Sequence, residues 1–126
     1  MARRLVLFGF AAMLLIPGAQ GKEQQDLRER VRDGVERTGK DLQAVVHPEK
    51  LTPAERERLD AALKDLREVR EAVGGTDWQA KRDVLERAVE NIDYLNKNAP
   101  IEDGDKQTLG IDLFTLRSIL DSWKKP

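Results

Sequence analysis

From Glu23 onward, apolar residues recur at three- and four-residue spacings and nowhere alternate over the length of a strand, which predicts an all-α chain. The first segment, about Glu23 to Val46, places Leu27, Val31, Val35, Thr38, Leu42 and Val45 at steps of four and three, so that they share one helix face. Gly34 and Gly39 interrupt it, each weakening a helix by about 1 kcal/mol relative to alanine. Pro48 disfavours helical geometry at His47 and ends the segment there.

The second stripe, Leu59, Ala62, Leu63, Leu66, Val69 and Val73, follows the strongest start signal in the chain. Thr52 caps, Pro53 suits the first helical position, Glu55 completes a Thr-x-x-Glu capping box, and Gly74-Gly75 closes the helix. A third helix is predicted with Thr76 as cap and Gln79 three residues on. Trp78, Leu85, Ala88, Val89, Ile92 and Leu95 share its apolar side, and Asn98-Ala99-Pro100 ends it. After a polar loop, Ile101 to Gln107, the last helix carries Leu109, Leu113, Leu116, Leu120 and Trp123 at alternating steps of four and three, the narrow stripe of a bundle or coiled coil. Ile111 and Phe114 fall on its other side, roughly 140 to 200° around at about 100° per residue.

Short turns between helices of similar length predict an antiparallel helical bundle of three to four helices, built on a helical hairpin core and with the first helix loosely docked. The stripes are narrow and rich in alanine and valine, so a hairpin that completes its core as a homodimer is the competing architecture.

The pattern changes upstream of Lys22. Arg3 and Arg4 precede an apolar run from Leu5 to Ile16, then Pro17-Gly18 as a break and Ala19-Gln20-Gly21 as a small-x-small cleavage site. The run is short of the roughly 20 residues that a membrane-spanning helix needs. Residues 1–21 therefore read as a cleaved secretory signal peptide, with no stable membrane anchor, and residues 22–126 as a single helical domain exported to the periplasm or beyond the cell.

Cysteine is absent from the whole sequence, so an exported domain must rely on packing rather than disulfides, and lipid attachment after the signal is excluded. Arg3 and Arg4 are the only charges of the signal, which leaves the mature segment mildly acidic and without attraction for nucleic acid or anionic lipid. One histidine and no cysteine exclude zinc, haem and iron–sulfur centres by ligand count. His47 reads as a helix-end residue. The acidic stretch Glu102-Asp103-Gly104-Asp105 fails the calcium hand-loop spacing, with Thr108 where glycine is needed and Phe114 where glutamate is needed, and reads instead as an acidic helix start.

The mature serines, Ser118 and Ser122, have no neighbouring base. Carboxylate chemistry needs an acid in an apolar cleft, for which a bundle this small has little room. Along the second helix, Asp60 with Lys64, Lys64 with Glu68 and Arg67 with Glu71 sit one turn apart and read as a solvated ion-pair face.

Leu51-Thr52-Pro53-Ala54-Glu55 resembles the Leu-Thr-x-x-Gln motif of the small periplasmic stress chaperones and their adaptor relatives, with glutamate in place of the last glutamine and in a single copy. The resemblance implies a cradle-shaped dimer that binds unfolded clients, with Leu51, Thr52 and Glu55 at a turn. A capping box by itself also accounts for these residues.

These exclusions leave a non-catalytic protein, without cofactor or metal, that acts by binding another protein in the cell envelope. Ile111, Phe114 and Ser118 on the back of the last helix are the candidate partner-binding residues. Trp123 is a further candidate: with Lys124 and Lys125 it reads as an interfacial anchor, and alternatively, with Trp78, as a plug for the end of the bundle. The alternatives are a chaperone-like stress protein with many unfolded clients and an inhibitor or immunity-type binder of one partner.

Overall fold

The computed structural model describes the backbone of residues 12–123 and the side chains of residues 23–123. Four α-helices pack together: α1 (Ala12–Val45), α2 (Pro53–Val73), α3 (Arg82–Asn98) and α4 (Asp103–Ser122), with single 3-10 turns at Pro48–Lys50 and Trp78–Lys81. Helix α1 packs on α2, α2 on α3, α3 on α4 and α4 back on α1, so the four close around a shared core. The described residues contain no strand.

Of the signal segment, residues 1–11 lie outside the described residues. The break expected at Pro17-Gly18 is absent, because α1 runs without interruption from Ala12 to Val45. A single proline removes one i→i−4 hydrogen bond, which a helix tolerates with a kink when both flanks remain helical. Among the described residues no helix is long and apolar enough to cross a membrane.

The stripes read from spacing form the core. Val31, Val35, Thr38, Leu42 and Val45 are buried on α1, Leu59, Ala62, Leu66, Val69 and Val73 on α2, Leu85, Ala88, Val89, Ile92 and Leu95 on α3, and Leu109, Leu113, Leu116 and Leu120 on α4. Leu27 and Leu63 are partly buried at the margin. Helix α1 is not loosely docked, contrary to expectation. Gly34 explains the close fit: a Cβ there would stand 3.0 Å from Ile119 Cδ1 and 3.2 Å from Leu116 Cδ2, so glycine lets α1 lie directly on α4. Gly39 meets nothing within 4 Å.

Helix α2 starts as read. Thr52 Oγ1 accepts from the Glu55 amide at 3.2 Å and the Glu55 carboxylate accepts from the Thr52 amide at 3.0 Å, while Leu51 is buried before the cap. The start of α3 differs from expectation, since Thr76 is no cap and the chain tightens into the 3-10 turn at Trp78–Lys81 before α3 begins at Arg82. That turn carries Trp78 inward to 5% exposure, and core burial of a large ring outweighs the weaker hydrogen bonds of a 3-10 turn. Helix α4 begins at Asp103, earlier than read, so most of the expected polar loop is its first turn. Asp103 and Asp105 there complement the positive end of the helix dipole, and Ile101, expected in the loop, is buried.

Two arginines tie the helix ends together. Arg28, near the packed start of α1, donates from Nε and Nη2 to the carbonyls of Val73 (2.6 Å) and Gly75 (3.0 Å) at the end of α2. Arg82, at the start of α3, donates from Nε to the Trp123 carbonyl and from Nη2 to the Leu120 carbonyl at 2.9 Å, at the end of α4. Both add donors to carbonyls at or just past a helix C-terminus and place positive charge at a negative dipole end. Helix α1 therefore runs opposite to α2, and α3 opposite to α4.

The charges of α2 are used differently from the one-turn pairing expected of them. They pair between helices: Arg70 with Glu36 of α1 at 2.9 Å, Glu68 with Lys81 at 3.1 Å, and Asp65 with Arg87 of α3 through two bonds of 2.9 and 3.0 Å. A forked guanidinium on a carboxylate held by a neighbouring helix offers better geometry than two long side chains one turn apart on an exposed face.

Candidate functional site

Helix α4 divides its circumference into sectors. Leu109, Leu113, Leu116 and Leu120 face the core, Ile119 and Asp112 face α1, and Arg117 turns toward α3, where it meets Asp93 at 3.4 Å. Burial pushes the Asp93 carboxyl up, but Lys97 at 3.0 Å and Arg117 outweigh it and hold it below the usual carboxylate range.

The remaining outward sector carries Gln107, Ile111, Phe114 and Thr115, with Ser118 half-buried at its edge. Ile111 is 59% and Phe114 73% exposed, the two large apolar side chains that stand in solvent among the described residues. Between Lys106 and Arg117 the exposed residues of α4 bear no charge, since Asp112 is buried, although 36% of the chain is charged. An aromatic and a branched aliphatic side chain one turn apart form a small uncharged knob, which gains by leaving water and does no chemistry of its own.

Trp123 does not belong to this face. It is 1% exposed, with its ring centroid 5.2 Å from that of Trp78 at 45°, and so plugs the end of the bundle. Arg82 bonds to the carbonyls of Leu120 and Trp123 beside it and ties this last turn to the start of α3. Trp123 is therefore separate from the exposed face of Ile111 and Phe114, and Lys124 and Lys125 lie outside the described residues.

His47, singled out from sequence, stays apart from this face. It precedes the first 3-10 turn, half exposed, with Nδ1 3.8 Å from Glu49. Tyr94 is half-buried, with the Arg58 guanidinium 3.9 Å over its ring. No group of three or more His, Cys, Asp or Glu among the described residues could hold a metal.

Sequence reasoning missed a buried carboxyl, Asp112, and the half-buried Asp41 beside it. Asp112 of α4 is 3% exposed, its Oδ1 is 3.8 Å from Arg37 Nε of α1, and its Oδ2 has no donor. Burial first, then the adjoining Asp41 carboxyl, push Asp112 up to about 7, against the weaker pull of Arg37. The available signal was position: Asp112 stands three residues after Leu109 and four before Leu116, on the margin of the apolar stripe. Asp65, three after Ala62 and four before Val69, carries the same signal. The pair does not line the shallow groove of about 260 Å³ between α1 and α2, which is bordered by Gly39, Lys40, Leu63 and Arg67. It also lies apart from the grooves at the tryptophan end.

Comparison with known protein families, with curated proteins and with solved structures finds no match to this chain.

Proposed function

We propose that this chain is a small exported, non-catalytic helical protein that acts in the cell envelope by binding another protein through the outer face of α4. The observation that carries the reading is the exposure of Ile111 and Phe114 on the uncharged sector of that helix. A well-packed core with large apolar side chains left outside it is the pattern of a binding surface, since burying those two side chains would add nothing to this fold's own closure. The sequence features of residues 1–21 support export. The absence of a recognisable nucleophile–base arrangement in the sequence supports a binding role over a catalytic one.

A photo-crosslinking side chain at position 114 in the producing cell is expected to join one envelope protein, whereas the same group at exposed position 57 on α2 joins none. Phe114→Asp is expected to abolish that adduct partner's co-purification while leaving helical content and melting temperature unchanged. Equal crosslinking from both positions, or loss of cooperative melting in Phe114→Asp, would overturn the proposal.

A further inference from the structure

Helix α1 is closely fitted to Ile119 and Leu116 of α4 around Gly34, and Asp112 is the buried acid of α4 that faces α1. Its Oδ2 is enclosed, without a hydrogen-bond donor from the protein, and Asp112 meets α1 at Arg37, one turn before Asp41 on the same side of that helix. Two ionised carboxylates offer four acceptor oxygens and no donor. Arg37 does not resolve this, because its Nε is 3.8 Å away and its side chain is 74% exposed. The donor that completes the arrangement is a proton on Asp112 itself.

We propose that Asp112, beside Asp41, is a proton-held fastening between α1 and α4: with a proton on Asp112 the helices lie together, and without it two carboxylates oppose each other where the helices meet. The groups facing Asp112 from α1 are Arg37 and Asp41. Lys40 borders the groove toward α2 instead. From α3, the other helix packed on α4, Asp93 and Lys97 belong to the opposite flank with Arg117. On α4 itself, Asp105 shares the side of Asp112 but lies two turns away, about 10 Å along the axis.

The raised Asp112 carboxyl gives the direction of the effect. The folded chain binds this proton more tightly than the unfolded chain does. Its contribution to stability is therefore full below the ordinary carboxylate range near pH 4, declines above it, and is lost once the pH has risen through about 7.

The test is equilibrium unfolding of the full chain at about pH 5.5 and about pH 8.5, with amide hydrogen exchange at both. The unfolding constant is expected to rise about tenfold or more between the two, and exchange in 27–45 of α1 is expected to accelerate more than exchange in α2. Asp112→Asn keeps a donor for Asp41 at every pH and is expected to remove both effects. Asp41→Asn, which removes the charge that helps to hold Asp112 up, is expected to move the loss to lower pH, and serves if the first variant does not fold. His47→Gln, the change at the single histidine, is expected to leave the pH dependence in place. A wild-type chain equally stable at both pH values overturns the proposal, as does a pH dependence that persists unchanged in the aspartate variants or disappears with His47.

Discussion

Trp123→Ala is expected to lower stability by about 3–5 kcal/mol, the range for removing a large buried aromatic from a core. The ring is 1% exposed and lies against Trp78, so its removal opens a void at the end of the bundle and uncovers a second indole. A domain of this size has roughly 5–15 kcal/mol in total, which makes this one side chain a large share of it. A melting temperature lower by about 12 °C or more is the expected reading in a thermal scan, with a red shift of the remaining tryptophan emission. Unchanged melting would mean that Trp123 lies outside the core after all, and would return it to the set of surface candidates.

Gly34→Leu is the second large effect. A Cβ alone reaches Ile119 Cδ1 and Leu116 Cδ2 at 3.0 and 3.2 Å, and both atoms are ends of side chains that yield slightly. Alanine should therefore come near neutral, its crowding set against about 1 kcal/mol of improved helix propensity. Leucine cannot be accommodated by such adjustments and is expected to destabilise by about 1–3 kcal/mol through overpacking. The contrast is Gly39, with nothing within 4 Å, where alanine should stabilise by up to about 1 kcal/mol. Denaturant midpoints of the variants read the difference, and equal responses at the two glycines would mean that α1 does not lie on α4 at Gly34.

What spacing could reveal was the inward stripe of each helix, the Thr52 capping box, and the outward position of Ile111 and Phe114, because each follows from the helical repeat or from a local bond between residues three apart. What it could not reveal depends on which helix lies beside which. Arg87 reaches Asp65 across two helices, and Arg82 reaches carbonyls of α4, so neither pairing has a signature in the sequence around it. Asp112 was legible as an acid on the margin of a stripe, but its burial depends on α1 lying close to α4, and its raised carboxyl on that burial and on Asp41 of α1. Two glycines in α1 looked alike as weak points; only the packed structure separates the one that enables contact from the one that merely faces a groove.

The order in which the helices meet has a consequence for how the molecule opens. Three of its four neighbour contacts join helices consecutive in the chain, tethered by the short connections 46–52, 74–81 and 99–102, so a separated pair is held at high effective concentration and returns quickly. The contact of α1 with α4 closes the ring between elements far apart in sequence and has no such tether. A ring cut there can unroll into an open row of helices while the three tethered pairs stay intact, and the pair of carboxyl groups sits at that one untethered joint.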